Sequence, residues 1–468
     1  MESFIATAEN SHDHMVPERA APSLDGGCAG RLLGSFSSKM AADEVSAKMT
    51  TSFRTLSPRK APVVMNPDVS QLPPLENDLK RVFGSNATIA PLTSTERLGR
   101  RVAGIDLTEP LTPSQAALLV ALVDWHRIVS FPTQDTHGFS VGHLEQVANH
   151  FGAPLPHPHN YANYVGHAAG DLLELHPIEE RTSTLVDQAF PGSIMSLDGA
   201  DSPAVYIVTN LVGSGPTVEP EVRGGQHWHT DIEFEPAPLS TSLFYVQRTP
   251  TTRNSSRGTW VDNPPREPGF YHPDSSATLS ELRGALPLNA ETAYADTAAA
   301  FAALPEQERR MLEKVMGRRR LRVTDGGWMG PLVYTNPRSG VRSLHSPVWA
   351  SRGRRVAPVE VDGMGSDESR RFLDRLEEHC LQPEFRYDHV HTPGDVTIWN
   401  NFATLHTAPP SKPIVNHPDD ARLLYRISCK GDPSYELPRS DTDKWIAANI
   451  SPPYRTPPQI PRVKHHGR

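Results

Sequence analysis

Two short segments far apart in the chain carry the groups that most restrict its fold. Residues 228–231 read Trp-His-Thr-Asp, and residues 399–406 read Trp-Asn-Asn-Phe-Ala-Thr-Leu-His. Together they can supply two imidazoles and one carboxylate to a single metal. That set, with the remaining positions open, is the ligand pattern of non-haem Fe(II) centres. Arg422 and Arg426 lie further along the chain, spaced to share one face of a strand.

The tripeptide His-x-Asp alone selects little. The chain has 21 histidines, and His229, His272 and His417 each begin such a tripeptide. His272 and His417 are followed directly by Pro, which suits a loop and not a strand interior. The run His227-Trp-His-Thr-Asp-Ile-Glu-Phe234 has no Gly or Pro. Read as extended, it puts His227, His229 and Asp231 on one face, and Trp228, Thr230 and Ile232 on the other. Downstream, Pro393-Gly394 marks a turn, 395–399 a strand and Asn400-Asn401 a second turn. His406 sits just beyond that second turn.

At 468 residues the chain holds one large domain or two or three ordinary ones. A net charge of −8 gives no electrostatic reason to expect nucleic acid. No apolar run is long enough to cross a bilayer. Cys28, Cys380 and Cys429 are odd in number and far apart. They make neither a disulfide framework nor a cysteine-based zinc site, and they fit a reducing compartment. The expected location is cytoplasmic, with organellar targeting by the N-terminal arm left open.

Residues 1–75 are rich in Ser, Ala, Met and Pro without apolar periodicity, and are expected to be a disordered arm. The main domain is placed at 76–430, with packed structure beginning near 89–97, and 431–468 reads as a tail. Thr112-Pro-Ser-Gln115 is a capping box with Pro at the first helical position, opening an apolar helix over 116–125. Strands are expected at 128–131, 204–211, 242–246, 332–336, 342–348 and 423–429, and helices at 141–150, 297–303, 306–316 and 366–380. His157 and His159 alternate within a Pro-rich stretch and read as loop histidines. The pattern suits a mainly β fold, a double-sheet jelly roll with flanking helices.

Trp-His-Thr-Asp, then Pro-Gly-Asp-Val-Thr-Ile-Trp-Asn-Asn-Phe-Ala-Thr-Leu-His over 393–406, then Arg422-Leu-Leu-Tyr-Arg426, resemble in this order the taurine dioxygenase (TauD/TfdA-like) family. Residues 104–111, 128–135 and 291–301 agree, and the resemblance runs from about 91 to about 430. It implies a double-stranded β-helix (jelly roll, cupin-like) with the metal between two sheets. It also implies an Fe(II)- and 2-oxoglutarate-dependent dioxygenase, with O2 as the second co-substrate. Such an enzyme hydroxylates, desaturates or cleaves a small acidic molecule and releases succinate and CO2.

Carried over by position, the resemblance makes His229, Asp231 and His406 the metal ligands, with no catalytic side chain beyond the metal centre. Arg422 and Thr292 would hold the far carboxylate of 2-oxoglutarate, where a guanidinium fork suits two parallel hydrogen bonds. Arg426 would bind an anionic substrate. His227 and Gln226 precede the ligand segment and are placed in the substrate pocket. The expected partner is thus a small anionic molecule, with neither nucleic acid nor membrane, and a homo-oligomer is compatible. Against the family pattern, 249–289 reads as an insertion, either a substrate lid or a surface loop. Asn400 replaces the usual acid, Asn289-Ala-Glu-Thr292 replaces Gly-Gly-Asp-Thr, and the loop between His406 and Arg422 is long. Two alternatives stay open: a non-catalytic relative that binds metal or 2-oxoglutarate, and a zinc hydrolase using His227, His229 and Asp231 or His406.

Overall fold

In a computed structural model of the chain, the capping box at Thr112 is closed. The Thr112 hydroxyl accepts from the Gln115 amide, and the Gln115 side chain accepts from the Thr112 amide at 2.8 Å. The structure describes residues 76–92, 98–154, 205–210, 227–234, 239–253, 275–321, 323–324, 327–351, 356–408 and 417–430. The expected arm 1–75, the tail 431–468, Gln226, His157 and His159 lie outside the described residues, as does 254–274 of the insertion. All described residues belong to one unit, Val64–Arg468.

In chain order the first elements are α1 (Glu76–Phe83), β1 (Thr88–Pro91), β2 (Arg100–Ala103), α2 (Pro113–His126), β3 (Ile128–Phe131), α3 (Val141–Asn149), β4 (Ala153–Pro154), β5 (Tyr206–Thr209) and β6 (Thr241–Arg248). Then come α4 (Ala277–Gly284), β7 (Thr292–Asp296), α5 (Thr297–Ala303), α6 (Glu306–Leu312), β8 (Met316–Arg319), β9 (Trp328–Pro331), β10 (Val333–Thr335), β11 (Arg342–Leu344) and β12 (Glu360–Val361). The last are α7 (Ser366–Cys380), β13 (Arg386–His389), β14 (Val396–Asn400), β15 (Thr404–Thr407) and β16 (Leu423–Lys430). The large sheet has the order β1-β2-β3-β14-β6-β16-β4, with β5 also paired to β16. Its pairings are antiparallel except β2 with β3. A second sheet, β13-β7-β15, is antiparallel throughout.

Strand alternation sorts the side chains into three layers. Leu243, Tyr245, Ile398, Leu423, Tyr425 and Ile427 pack with Leu119, Val123 and Leu144 of α2 and α3. The alternate residues Phe244, Val246, Trp399 and Leu424 meet Tyr294 of β7 between the two sheets. Ala293, Ala295 and Leu405, on the far side of the smaller sheet, pack with Phe301, Leu373 and Leu376 of α5 and α7. Leu373 and Leu376 are fully buried, and each such burial is worth about 1.5–3 kcal/mol. That holds α7 in place although its other face is charged. Two facing sheets with helices over both outer surfaces form the double-stranded β-helix expected from the sequence. The turn into β14 requires its glycine: Gly394 has φ +86°, and a Cβ there would lie 2.4 Å from the Gln134 carbonyl oxygen.

Several expectations are corrected. Residues 227–234 are not a strand. His229 forms an isolated antiparallel bridge with His406, and the chain turns over 231–234. Ile232 sits at φ +49°, a left-handed conformation that costs a β-branched residue about 1–3 kcal/mol. The helix expected over 306–316 ends at Leu312, because Met316 opens β8 in the sheet β12-β8-β9. Packed structure begins earlier than 89–97, at α1. The end of the insertion is neither lid nor surface loop. It is α4, capped by Ser276, and its buried Arg283 pairs with Asp374 and Glu377 of α7 at 3.3 and 2.5 Å.

Candidate metal centre

The two histidines meet because their backbones do. His229 N–H donates to the His406 carbonyl at 3.0 Å, and His406 N–H donates back at 2.9 Å. Their ring centroids are 4.3 Å apart. The turn after His229 returns Asp231 to both rings. Asp231 Oδ1 lies 3.7 Å from His229 Nε2, and Oδ2 lies 3.6 Å from His406 Nε2. One ligand atom from each of the three falls within 4.8 Å of the others, and all three residues are buried. His227 does not join this group. A zinc site built on His227, one of the sequence alternatives, is therefore not assembled among the described residues.

The neighbouring bonds suit a metal. His229 Nδ1 lies 2.5 Å from the His227 carbonyl oxygen. A carbonyl only accepts, so the ring proton belongs on Nδ1 and the Nε2 lone pair faces Asp231 and His406. Asp231 Oδ2 accepts from the Ser242 hydroxyl at 3.2 Å. Ser242 accepts in turn from Asn401 Nδ2 at 2.8 Å, and Asn401 Oδ1 accepts from Trp399 Nε1 at 3.0 Å. The second asparagine of the Trp-Asn-Asn run thus orients a ligand carboxylate through one hydroxyl. Asn400, which replaces the usual acid, still closes the turn, because its side-chain oxygen accepts from Phe402 N–H at 2.9 Å. Arg426 Nη1 lies 3.2 Å from Asp231 Oδ1, with its guanidinium over the Tyr206 ring.

Arg422 directly precedes β16, in alternation with Leu424 and Arg426. Its backbone is fixed from both sides, by Asn210 Oδ1 at 2.8 Å and by the Thr209 hydroxyl at 2.7 Å. The residue is 5% exposed, and its guanidinium makes no hydrogen bond among the described residues. Burial, and then the charge of Arg253, push its pKa down to about 10, with Tyr294 opposing. It remains a cation at neutral pH, buried without an anionic partner among the described residues. Tyr294 is close enough to feel both Asp231 and Arg422. Burial, then Tyr387 and Asp231, raise its phenol well above the ordinary value, and the hydroxyl has no partner among the described residues.

The structure therefore brings His229, Asp231, His406 and Arg426 together, and Arg422 is linked to them through Tyr294, which interacts with both Asp231 and Arg422. Thr292 is buried at the start of β7, and its hydroxyl lies 2.7 Å from His391 Nε2. His227 contributes its carbonyl. Sequence reasoning missed Ser242, Asn401, Tyr294, His391 and Arg253. The first two were visible as inward positions of a strand and a turn. His391 was visible only as the alternate of His389, and Arg253 carried no signal.

Two imidazoles and one carboxylate, buried between the sheets of a double-stranded β-helix, define the class of facial-triad metal proteins. The chain belongs to the Taurine catabolism dioxygenase TauD, TfdA family, whose model matches residues 88–428. It is 26% identical over 209 residues to pentalenolactone F synthase from Streptomyces arenae, covering 43% of this chain and 62% of that protein. It is 27% identical over 195 residues to the (S)-phenoxypropionate/alpha-ketoglutarate-dioxygenase of Sphingobium herbicidovorans, covering 36% of this chain and 63% of that protein. The chain thus spans a little over three fifths of the length of these curated relatives. A crystal structure of a taurine dioxygenase from Burkholderia xenovorans superposes at 22% identity with a TM-score of 0.45, covering 74% of this chain and 92% of that one.

Proposed function

We propose that this protein is an Fe(II)- and 2-oxoglutarate-dependent dioxygenase that oxidises a small acidic organic molecule. The observation that carries the reading is the pairing of the buried triad with Arg422, a buried cation without an anionic partner among the described residues. Iron held here would couple decarboxylation of 2-oxoglutarate, giving succinate and CO2, to oxidation of a substrate C–H bond by O2.

The chain's own residues divide the remaining work. His229 and His406 present Nε2, and Asp231 presents a carboxylate steadied by Ser242 and Arg426. Arg422 binds the distal carboxylate of 2-oxoglutarate through its fork. With His391 donating from Nε2, the Thr292 proton is released for the same carboxylate. Arg426 has donors beyond the one on Asp231, and these anchor the acid group of the substrate beside the metal. His227 lines the approach. The shell of Phe244, Trp399 and Leu424 keeps the site dry. The names of two relatives, which specify phenoxypropionate and 2,4-dichlorophenoxyacetate, support a carboxylate substrate.

The test is succinate release with Fe(II), 2-oxoglutarate and O2 across aryloxyalkanoates, sulfonates and their neutral esters. Succinate formed in proportion to an oxidised acid, and not with the ester, is expected. Fe(II) and 2-oxoglutarate bound without turnover of any acid would favour the non-catalytic alternative.

A further inference from the structure

Arg253 lies in the first residues of the insertion, close enough for its charge to act on Arg422. That segment is tied step by step to the turn leading into Arg422. Arg248 Nη2 donates to the Pro418 carbonyl at 2.9 Å, Thr251 N–H donates to the Asp419 carbonyl at 2.8 Å, and the Thr252 hydroxyl bonds the Asp420 carboxylate. Arg253 Nη2 then donates to the carbonyl of His391, the residue whose ring holds Thr292. Its Nη1 is buried and has no partner among the described residues. Glu291 and Asp395 favour its charge from a distance, but each has a carboxylate oxygen committed to a backbone amide, at Asn289 and Thr392. Neither makes an ion pair with Arg253 among the described residues. The charges of Arg253 and Arg422 repel each other. Two guanidiniums held near each other, Arg422 buried and Arg253 half-buried with its Nη1 enclosed, are unfavourable unless an anion lies against both.

We propose that Arg253 is a second guanidinium for the distal carboxylate of 2-oxoglutarate, acting beside Arg422. The inference rests on the reading of Arg422 and Thr292 as the 2-oxoglutarate site. A carboxylate offers about four lone-pair positions. The Arg422 fork fills two, the Thr292 hydroxyl a third, and Arg253 Nη1 the fourth. The start of the insertion then belongs to the co-substrate site, not to a substrate lid.

The experiment is anaerobic calorimetric titration of the full chain, loaded with Mn(II), using 2-oxoglutarate and pyruvate. Pyruvate keeps the 2-oxo acid group but lacks the distal carboxylate. Arg253→Met is expected to weaken 2-oxoglutarate about 10- to 100-fold and to leave pyruvate within about 2-fold. Arg253→Lys should recover part of the loss. The proposal is overturned if Arg253→Met binds 2-oxoglutarate like wild type, or if it loses both ligands equally, which would mark a purely structural role. If wild type binds no 2-oxoglutarate, or if Arg422→Met binds it unchanged, the underlying site reading falls as well.

Discussion

Replacing Arg422 with Met is expected to move binding and stability in opposite directions. The guanidinium is buried and makes no hydrogen bond among the described residues, so its charge opposes folding. Its pKa falls from 12.5 to about 10, which at about 1.4 kcal/mol per pH unit corresponds to roughly 3 kcal/mol. The sign is that of a cation whose folded pKa lies below its unfolded one. The penalty is full at every pH below about 10 and fades only as pH rises beyond it. Met keeps most of the volume and removes the charge. The metal-free variant should therefore unfold about 6–12 °C higher than wild type, at about 2–4 °C per kcal/mol for a large domain. Binding of 2-oxoglutarate should suffer, since losing one partner of a buried charge pair costs about 2–5 kcal/mol, or roughly 30-fold to more than 1,000-fold in Kd. Calorimetric melting of the apo-protein and anaerobic titration with 2-oxoglutarate read the two effects separately. Unchanged 2-oxoglutarate affinity, or a large fall in the melting temperature, would refute the reasoning.

Ser242→Ala removes the hydroxyl that links Asn401 to Asp231, and metal affinity by titration should fall about 10-fold or more with the fold intact. Asp296→Ala leaves Arg127 buried without its partner, 2.6 Å away, and uncaps α5; urea unfolding should show a loss of about 3–5 kcal/mol. His126 and His389 have pKa values lowered to about 3, chiefly by burial and then by neighbouring arginines; His345 lies well below the usual range through burial and then Arg319, and His391 through burial and then His389. Each is neutral when folded but takes a proton when unfolded below pH 6.5. Stability should thus be flat above that pH and fall below it, by about 1.4 kcal/mol per histidine at pH 5.5. His389→Gln should flatten the pH dependence of urea unfolding by one proton, and an unchanged slope would contradict its burial as a neutral group.

The sequence carried the large sheet well because its strands are short β-rich runs bounded by turn residues, as at 128–131, 395–399 and 423–429. The capping box at Thr112 and the amphipathic pattern of α7 were equally plain. The sheet β12-β8-β9 was not legible. Met316-Gly-Arg-Arg319 and Trp328-Met-Gly-Pro331 lack alternation, and tertiary pairing decides their conformation. The geometry at His229 was misjudged for a related reason. A run without Gly or Pro favours a strand locally, yet the bridge to His406 and the left-handed Ile232 override it. The ligand identities survive that error, because His229 and Asp231 meet His406 by turning instead of by sharing a strand face. Arg253 could not be found from sequence, since its place depends on contacts with the turn at 418–420.

The most direct measurement is anaerobic addition of Fe(II) and then 2-oxoglutarate to wild type and to Asp231→Ala, monitored by visible absorption. A weak charge-transfer band that appears on adding 2-oxoglutarate to wild type, and is absent in Asp231→Ala, is the predicted result. A wild-type protein that binds Fe(II) yet shows no band, or a band that survives loss of Asp231, would contradict the claim that His229, Asp231 and His406 hold the iron on which 2-oxoglutarate is bound.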